Sequence, residues 1–160
     1  MKTAVCYATK TGTAKKCANR LKELLPEADL FNIEKDSPDL SKYDCIVIGG
    51  SIRMGHLHRA AKKLIQENKS LLMKKKYAFF ICNGFPEQAE NFFLQNIDKD
   101  LLEHSLCVSS FGGEVDLGKM KGMDKFIAKA VMNTIKNPEE RPQINENTIE
   151  EFAKIVNGGN

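Results

Sequence analysis

Tryptophan is absent from the 160-residue chain, and cysteine and proline are scarce, with five residues of each. The cysteine number is odd and no two cysteines have Cys-x-x-Cys spacing, so we expect free, mostly buried thiols in a reducing cytoplasm rather than disulfides. No apolar run approaches the roughly 18 residues that a membrane-spanning helix needs. Because the chain passes directly from Lys2 into a strand-like pattern, we also expect no secretory signal.

A strong charge of one sign is lacking as well. Lysine and arginine number 24 against 21 acidic residues, and the net charge of +3 is too small to indicate a nucleic-acid-binding protein. With 42% hydrophobic and 28% charged residues, the chain has the composition of a globular protein. We predict a single domain over residues 1–160, long enough to bury a substantial core.

Apolar runs of strand length alternate with helical periodicity along the whole chain. The predicted strands cover Lys2–Ala8, Asp29–Ile33, Cys45–Gly50, Tyr77–Cys82 and Leu106–Phe111. The predicted helices cover residues 13–25, 57–69, 87–102, 120–136 and 146–157. Several strands are almost continuously apolar, as parallel strands buried on both faces are, so the alternation predicts a doubly wound α/β sheet with helices on both faces. In such sheets, ligands bind beyond the carboxyl ends of the strands.

The turn after the first strand is rich in hydroxyl groups and leads directly into a helix. It reads Thr9-Lys10-Thr11-Gly12-Thr13-Ala14. Backbone N–H groups at a helix N-terminus, the helix dipole and three threonine hydroxyls together suit a phosphate monoester. An ordinary capped helix start is the alternative. The glycine patterns of dinucleotide-binding and P-loop phosphate sites are both absent here, which argues against those two classes.

The segments after the other strands suit a flat ligand. Their candidate contact residues are Gly50, Ser51, Ile52, Arg53, Met54 and Gly55 after the third strand, Asn83, Gly84 and Phe85 after the fourth, and Gly112 and Gly113 after the fifth. Adjacent glycines let the backbone approach a ring closely. Ile52 and Met54 can pack on a ring face, and Gly55 can turn its peptide toward a ring nitrogen.

The pattern Val5-x-Tyr7-x-Thr9-x-Thr11-Gly12 resembles the phosphate loop of the flavodoxins, which bind flavin mononucleotide (FMN). The resemblance implies a flavodoxin-like sheet of five parallel strands in the order 2-1-3-4-5, with FMN as the cofactor. It departs at Ala14, where the family usually has a threonine. Lys10 either supplies a compensating charge or is a solvent-facing lysine. Because tryptophan is absent, the Trp–flavin sandwich of many carrier flavodoxins is excluded.

The run from Gly49 to His56 resembles the Gly-x-Ser-Ile-Arg-x-Gly-His loop of bacterial menaquinone-dependent protoporphyrinogen oxidases, which also bind FMN. A guanidinium near the reduced ring stabilises its negative charge, so Arg53 is a candidate catalytic residue, with a surface ion pair as the alternative. His56 is a second candidate, as a proton relay, with a loop or capping role as the alternative. The spacing of His56 and His58 argues against a metal site. The longer basic insertion of that family after the fourth strand is missing.

These features favour an FMN-dependent oxidoreductase that passes hydride equivalents from a small organic or porphyrin substrate to a quinone-type acceptor. An electron carrier between redox proteins and an interaction domain without flavin are the alternatives. We expect helix 120–136 to bury its apolar stripe in the core. A surface helix that docks on acidic lipid or on a redox partner is the alternative, so membrane contact is at most peripheral and through residues 119–136. The basic side of this helix contains Lys119, Lys121, Lys125, Lys129 and Lys136.

Overall fold

The computed structural model describes residues 1–115 and 117–158, and its centre is a parallel sheet. The strands are β1 (Thr3–Ala8), β2 (Ala28–Asn32), β3 (Cys45–Arg53), β4 (His56–Leu57), β5 (Lys76–Cys82) and β6 (Val108–Ser110). They are hydrogen-bonded in the order β2-β1-β3-β5-β6, while β4 pairs antiparallel with the end of β3. Without the short β4, this is the predicted order of five parallel strands, and the flavodoxin-like fold is confirmed.

Helices cover both faces of the sheet. They are α1 (Thr13–Leu24), α2 (Arg59–Glu67), α3 (Lys69–Leu72), α4 (Ala89–Asn96), α5 (Lys99–His104), α6 (Gly122–Thr134) and α7 (Glu146–Val156). The extents predicted for two helices are wrong. The helix expected over 57–69 ends at Glu67, and the one expected over 87–102 is divided because Ile97 and Asp98 have extended backbone.

Alternate residues of the central strands enter two separate cores. Val47 and Phe80 pack with α1 and α7, whereas Ile46 and Phe79 pack with α2 to α5. Burial on both faces explains why these strands are continuously apolar. Gly49 is required by this packing, since a Cβ there would lie 2.2 Å from the ring of Phe80.

The third strand is longer than predicted. It continues past Gly50 to Arg53, and the chain then reverses through Met54 and Gly55 into β4. Candidate residues 51–53 therefore lie on the end of a strand and not in a loop. The last strand is shorter than its predicted range of Leu106–Phe111.

Helix α6 differs most from the prediction. None of its residues is buried, so the expectation that its apolar stripe faces the core is wrong. Met123 and Phe126 are 68% and 70% exposed. The reason is that α1, α7 and α2 to α5 already cover both faces of the sheet, which leaves α6 beside the carboxyl ends of the strands. Within residues 1–115 and 117–158, no helix combines the length and apolar character needed to cross a bilayer.

Candidate functional site

A cavity of about 860 Å³ lies at the carboxyl edge of the sheet, within the size range of small-molecule sites. It is bounded by the turn after β1, the β3–β4 hairpin, the segments after β5 and β6, and α6. The predicted site residues that line it are Lys10, Thr11, Thr13, Ser51, Ile52, Arg53, Met54, Gly55, Asn83, Gly84, Phe85 and Gly113. Segments that are far apart in the sequence thus meet at one place.

The other predicted site residues do not line the cavity. They are Thr9, Gly12, Ala14, Gly50, His56 and Gly112. The side chain of Ala14 is fully buried in the core between α1 and the sheet. Gly112 has a packing role, because a Cβ there would lie 2.3 Å from the carbonyl oxygen of Gln143. His56 is exposed beside Arg53 on the outer strand of the hairpin, so its relay role stays a prediction.

The turn after β1 is braced from within by Thr9, and two of its other threonines line the cavity. Thr9 Oγ1 accepts a hydrogen bond from Gly12 N–H at 2.9 Å, and Gly12 has a φ of +97° at the start of α1. Thr11 and Thr13 line the cavity beside Lys10. No side chain in the described part of the chain caps α1, so its first N–H groups remain for water or an anion.

A carboxylate borders the same turn on the β2 side. Glu34 Oε2 accepts from Thr9 N–H at 3.3 Å, and Glu34 Oε1 lies 3.3 Å from His58 Nε2. His58 Nδ1 accepts from Ala60 N–H at 3.2 Å and caps α2. Because Nδ1 is an acceptor, the neutral ring carries its proton on Nε2 and donates it to Glu34. The capping histidine of this segment is therefore His58, and not His56.

The β3–β4 hairpin is a rigid wall of the cavity. Met54 and Gly55 have φ values of +53° and +79°, the left-handed backbone that a two-residue type I′ turn requires. The buried Asn96 of α4 fixes this turn: its Oδ1 accepts from Leu57 N–H at 2.9 Å, and its Nδ2 donates to Gly55 O and Phe92 O, each at 2.8 Å. A flip of the Gly55 peptide must therefore break the hydrogen bond from Asn96 Nδ2 to Gly55 O.

Replacing Asn96 by alanine should lower the free energy of unfolding by about 2–3 kcal/mol, since the buried N–H of Leu57 and the carbonyl of Gly55 lose their partner. Urea unfolding monitored by circular dichroism measures this. Asn91→Ala, at an exposed position of the same helix, is the matched control and should change the value by less than about 0.5 kcal/mol. Equal losses in the two variants would show that Asn96 does not hold the hairpin.

The segment after β5 is fixed by its own asparagine. Asn83 Nδ2 donates to Phe85 O at 2.6 Å, and Asn83 Oδ1 accepts from Ser110 Oγ at 2.5 Å. The side-chain amide is therefore engaged within the protein, as is the N–H of Asn83, which donates to Gly112 O at 3.0 Å. The backbone of Gly84 is left to meet a ligand. Phe85 remains 36% exposed at the cavity.

Cys82 also lines the cavity, at the end of β5, but it is not a nucleophile. Its thiol donates to Cys17 Sγ at 3.6 Å. This hydrogen bond, together with burial, raises the pKa of Cys82 well above its ordinary value. The group therefore stays a neutral thiol, and the two cysteines serve as packing between α1 and the sheet.

The wall formed by α6 and its approach was not predicted from the sequence. It comprises Lys119, Met120, Lys121, Asp124, Ile127, Ala128, Val131 and Met132, and the rest of the unpredicted lining is Cys82, Gln88, Phe92, Glu114 and Val115. The 3.6-residue period of α6 is visible in the sequence. That signal is the same whether an apolar helix face meets a core or a cavity.

Positive charge predominates around the cavity. Its lining includes the cations Lys10, Arg53, Lys119 and Lys121 and the carboxylates Glu114 and Asp124. Arg53 Nε forms an ion pair with Asp124 Oδ2, so the ion pair named above as an alternative is present, with its carboxylate on the cavity wall. Lys119 Nζ donates to Thr11 O at 3.4 Å. The arrangement suits an anionic ligand.

A parallel sheet of this order, with a hydroxyl-rich turn after β1 and a cavity at its carboxyl edge, defines a flavodoxin-like domain. The chain belongs to the flavodoxin domain family, which it matches over residues 4–141.

Among curated proteins, it is similar to protoporphyrinogen IX dehydrogenase (quinone) of Escherichia coli K12, with 34% identity over 88 residues. That match covers 52% of this chain and 49% of the relative, so the matched region spans about half the length of the curated protein.

Solved structures show the same fold. A short-chain flavodoxin associated with an atypical PDU bacterial microcompartment superimposes with a TM-score of 0.62 at 18% identity, covering 99% of this chain and 98% of that one. A flavoprotein from Lactobacillus acidophilus, in complex with FMN, gives a TM-score of 0.54 at 16% identity, covering 68% of this chain and 92% of that one.

Proposed function

We propose that this chain binds FMN and is an oxidoreductase that transfers hydride equivalents from a porphyrinogen-type substrate to a quinone. The observation that carries the proposal is a single cavity that joins the threonine- and lysine-lined turn after β1 to an apolar region beside Arg53. FMN has the matching parts, a phosphate dianion and a flat ring. The partial similarity to a quinone-dependent protoporphyrinogen IX dehydrogenase supports the choice of substrate and acceptor.

The side chains present fit FMN at both parts of the cavity. Thr11 and Thr13 offer hydroxyl donors and Lys10 offers positive charge, which are the groups that bind a phosphate. The apolar contacts for a ring come from three walls: Ile52 and Met54 from the hairpin, Phe85 and Phe92 from the β5 side, and Ile127 and Val131 from α6. Such a lining, with few polar groups, is typical of sites for planar cofactors.

The redox chemistry, acceptance of a hydride and its delivery to a quinone, is supplied by the flavin when it is bound. The protein orients the ring and sets the charge around it. The guanidinium of Arg53 on the cavity wall favours the anionic reduced form over the neutral oxidised form. Among the described residues lining the cavity, none has the features of an activated nucleophile, which agrees with a role in binding and tuning.

The test has two stages. Titration of the ligand-free protein with FMN should quench flavin fluorescence at one equivalent, and failure to bind FMN would overturn the proposal. The loaded protein is then mixed anaerobically with protoporphyrinogen IX. Bleaching of the flavin absorbance, followed by its return on addition of menaquinone or ubiquinone, is the expected result. Reduction by a redox protein but not by the porphyrinogen would instead identify an electron carrier.

We also propose that the outer face of α6 contacts anionic membrane surfaces, where a lipid-soluble quinone is found. Its exposed Met123 and Phe126 lie on the same helix as the exposed Lys125 and Lys129, a combination suited to acidic headgroups and the acyl boundary. The proposed setting is therefore the cytoplasmic side of a membrane, with peripheral contact.

Phe126→Ser should reduce cosedimentation with phosphatidylglycerol-containing vesicles about tenfold, because a fully inserted phenyl group contributes about 1.5–3 kcal/mol. Leu94→Ser removes a 55% exposed leucine from α4 and is the matched control, expected to bind as the unaltered protein does. Binding by the unaltered protein should also fall as salt is raised. If vesicles of phosphatidylcholine alone bind equally well, the basic face plays no part.

A further inference from the structure

The ion pair between Arg53 and Asp124 joins two independent walls of the cavity. Arg53 lies at the end of β3, and Asp124 lies in the first turn of α6. The Arg53 side chain is 52% exposed, whereas the Asp124 side chain is only 15% exposed. The carboxylate is therefore turned inward, toward the cavity that both residues line.

The position of α6 depends on contacts of this kind. No residue of α6 is buried, so the helix has no core of its own that would hold it against the sheet. Besides the ion pair, the approach to α6 is joined to the turn after β1 by the 3.4 Å hydrogen bond from Lys119 Nζ to Thr11 O. Polar contacts across the cavity rim thus determine where the helix lies.

The position of the Arg53 backbone does not depend on α6. This backbone belongs to the hairpin that Asn96 of α4 fixes, accepting a buried hydrogen bond from Leu57 N–H and donating to Gly55 O. If the ion pair is broken, the hairpin and its guanidinium stay at the cavity, and α6 is the element that can move. The positive charge of Arg53 is then no longer opposed by a carboxylate next to it.

The other carboxylate that lines the cavity, that of Glu114, is not placed to pair with Arg53. Glu114 is engaged by Lys16 Nζ at 2.7 Å. Asp124 is thus the acid that Arg53 contacts among the described residues lining the cavity.

We propose that Asp124 is a positioning residue: its ion pair with Arg53 holds α6 closed over the cavity and lowers the positive charge that Arg53 presents to a bound flavin. The part that concerns the flavin rests on the function proposed above. The part that concerns α6 does not require any ligand.

Experiments on the ligand-free protein test whether the ion pair holds α6 over the cavity. Hydrogen–deuterium exchange of peptides that cover residues 122–134 should be about tenfold faster in Asp124→Asn and in Arg53→Gln, because both variants lose the same contact. Asp98→Asn, which breaks the exposed pair of Asp98 with Lys69, is the matched control and should leave exchange in this helix unchanged. Unchanged exchange in Asp124→Asn would overturn this half of the inference.

The reduction potential of bound flavin tests whether Asp124 lowers the positive charge that Arg53 presents to the ring. Asp124→Asn should raise the affinity for reduced FMN relative to oxidised FMN about tenfold, equivalent to about +30 mV for a two-electron couple. Arg53→Gln should lower the same ratio. The double variant should match Arg53→Gln alone, because Asp124 acts through Arg53. Additive shifts of the two substitutions, or no shift in Asp124→Asn, would show that Asp124 does not act through Arg53.

These outcomes separate the two proposals. If the unaltered protein binds no FMN, the proposed function fails while the exchange experiment still decides whether the ion pair closes α6. If FMN binds normally and neither readout responds to Asp124→Asn, the proposed function stands and the role of Asp124 is wrong.

Discussion

Gly112→Ala should lower the free energy of unfolding by about 3 kcal/mol, equivalent to a fall in Tm of about 6–12 °C for a chain of this length. Gly112 has a φ of +72°, which disfavours a residue with a Cβ. The added Cβ would also lie 2.3 Å from the backbone oxygen of Gln143, which cannot rotate away as a side chain could. Asn83 N–H donates to Gly112 O at 3.0 Å, so a shift of this backbone would disturb the cavity as well.

Gly122→Ala separates the two causes of this loss. Gly122 has a φ of +60°, but a Cβ there would meet nothing within 4 Å. The cost at Gly122 is therefore the backbone conformation alone, about 1 kcal/mol. Thermal unfolding of both variants gives the comparison. Equal losses would mean that the added Cβ at Gly112 causes no steric conflict with the backbone oxygen of Gln143.

Thr13→Val should weaken FMN binding by about 10- to 100-fold with little change in Tm. Valine keeps the shape of threonine but removes the hydroxyl, and a hydrogen bond to a charged phosphate contributes about 1.5–3 kcal/mol. Thr13 is 7% exposed and lines the cavity at the first residue of α1. Fluorescence titration with FMN measures the dissociation constant.

Thr3→Val is the matched control for this substitution. Thr3 is 2% exposed at the opposite end of β1, far from the cavity lining, and its Oγ1 donates to Met1 O at 3.4 Å. Its affinity for FMN should equal that of the unaltered protein. If Thr13→Val also binds FMN with unchanged affinity, the Thr13 hydroxyl does not bind the phosphate.

Several features of the molecule follow from local sequence. The continuous apolar runs predict buried parallel strands, and the hydroxyl-rich turn followed at once by the α1 period predicts a strand–turn–helix unit. Because parallel strands all end at one edge, the segments after them necessarily meet. For this reason most of the selected residues, from Lys10 to Gly113, line a single cavity.

The exact extents of elements were less predictable. Ser51 to Arg53 continue β3 because the positive φ angles of Met54 and Gly55 form a tight hairpin, and Asn96, from a helix about 40 residues later, fixes that hairpin. A hydrogen bond between such distant residues leaves no periodic signal in the chain. The expectation that Gly55 turns its peptide toward a ring nitrogen stays a prediction.

The amino-acid sequence by itself determined the fold class and the edge of the sheet at which the segments after the strands meet, because these depend on hydrophobic periodicity and on the parallel direction of the strands. The order of the strands was implied by the resemblance to the flavodoxins. The tertiary structure alone decided what the amphipathic helix α6 faces. Periodicity shows that a helix has an apolar side, but the partner of that side depends on which faces of the sheet are already covered. Here both are covered, so α6 lines the cavity instead, with Asp124 in contact with Arg53.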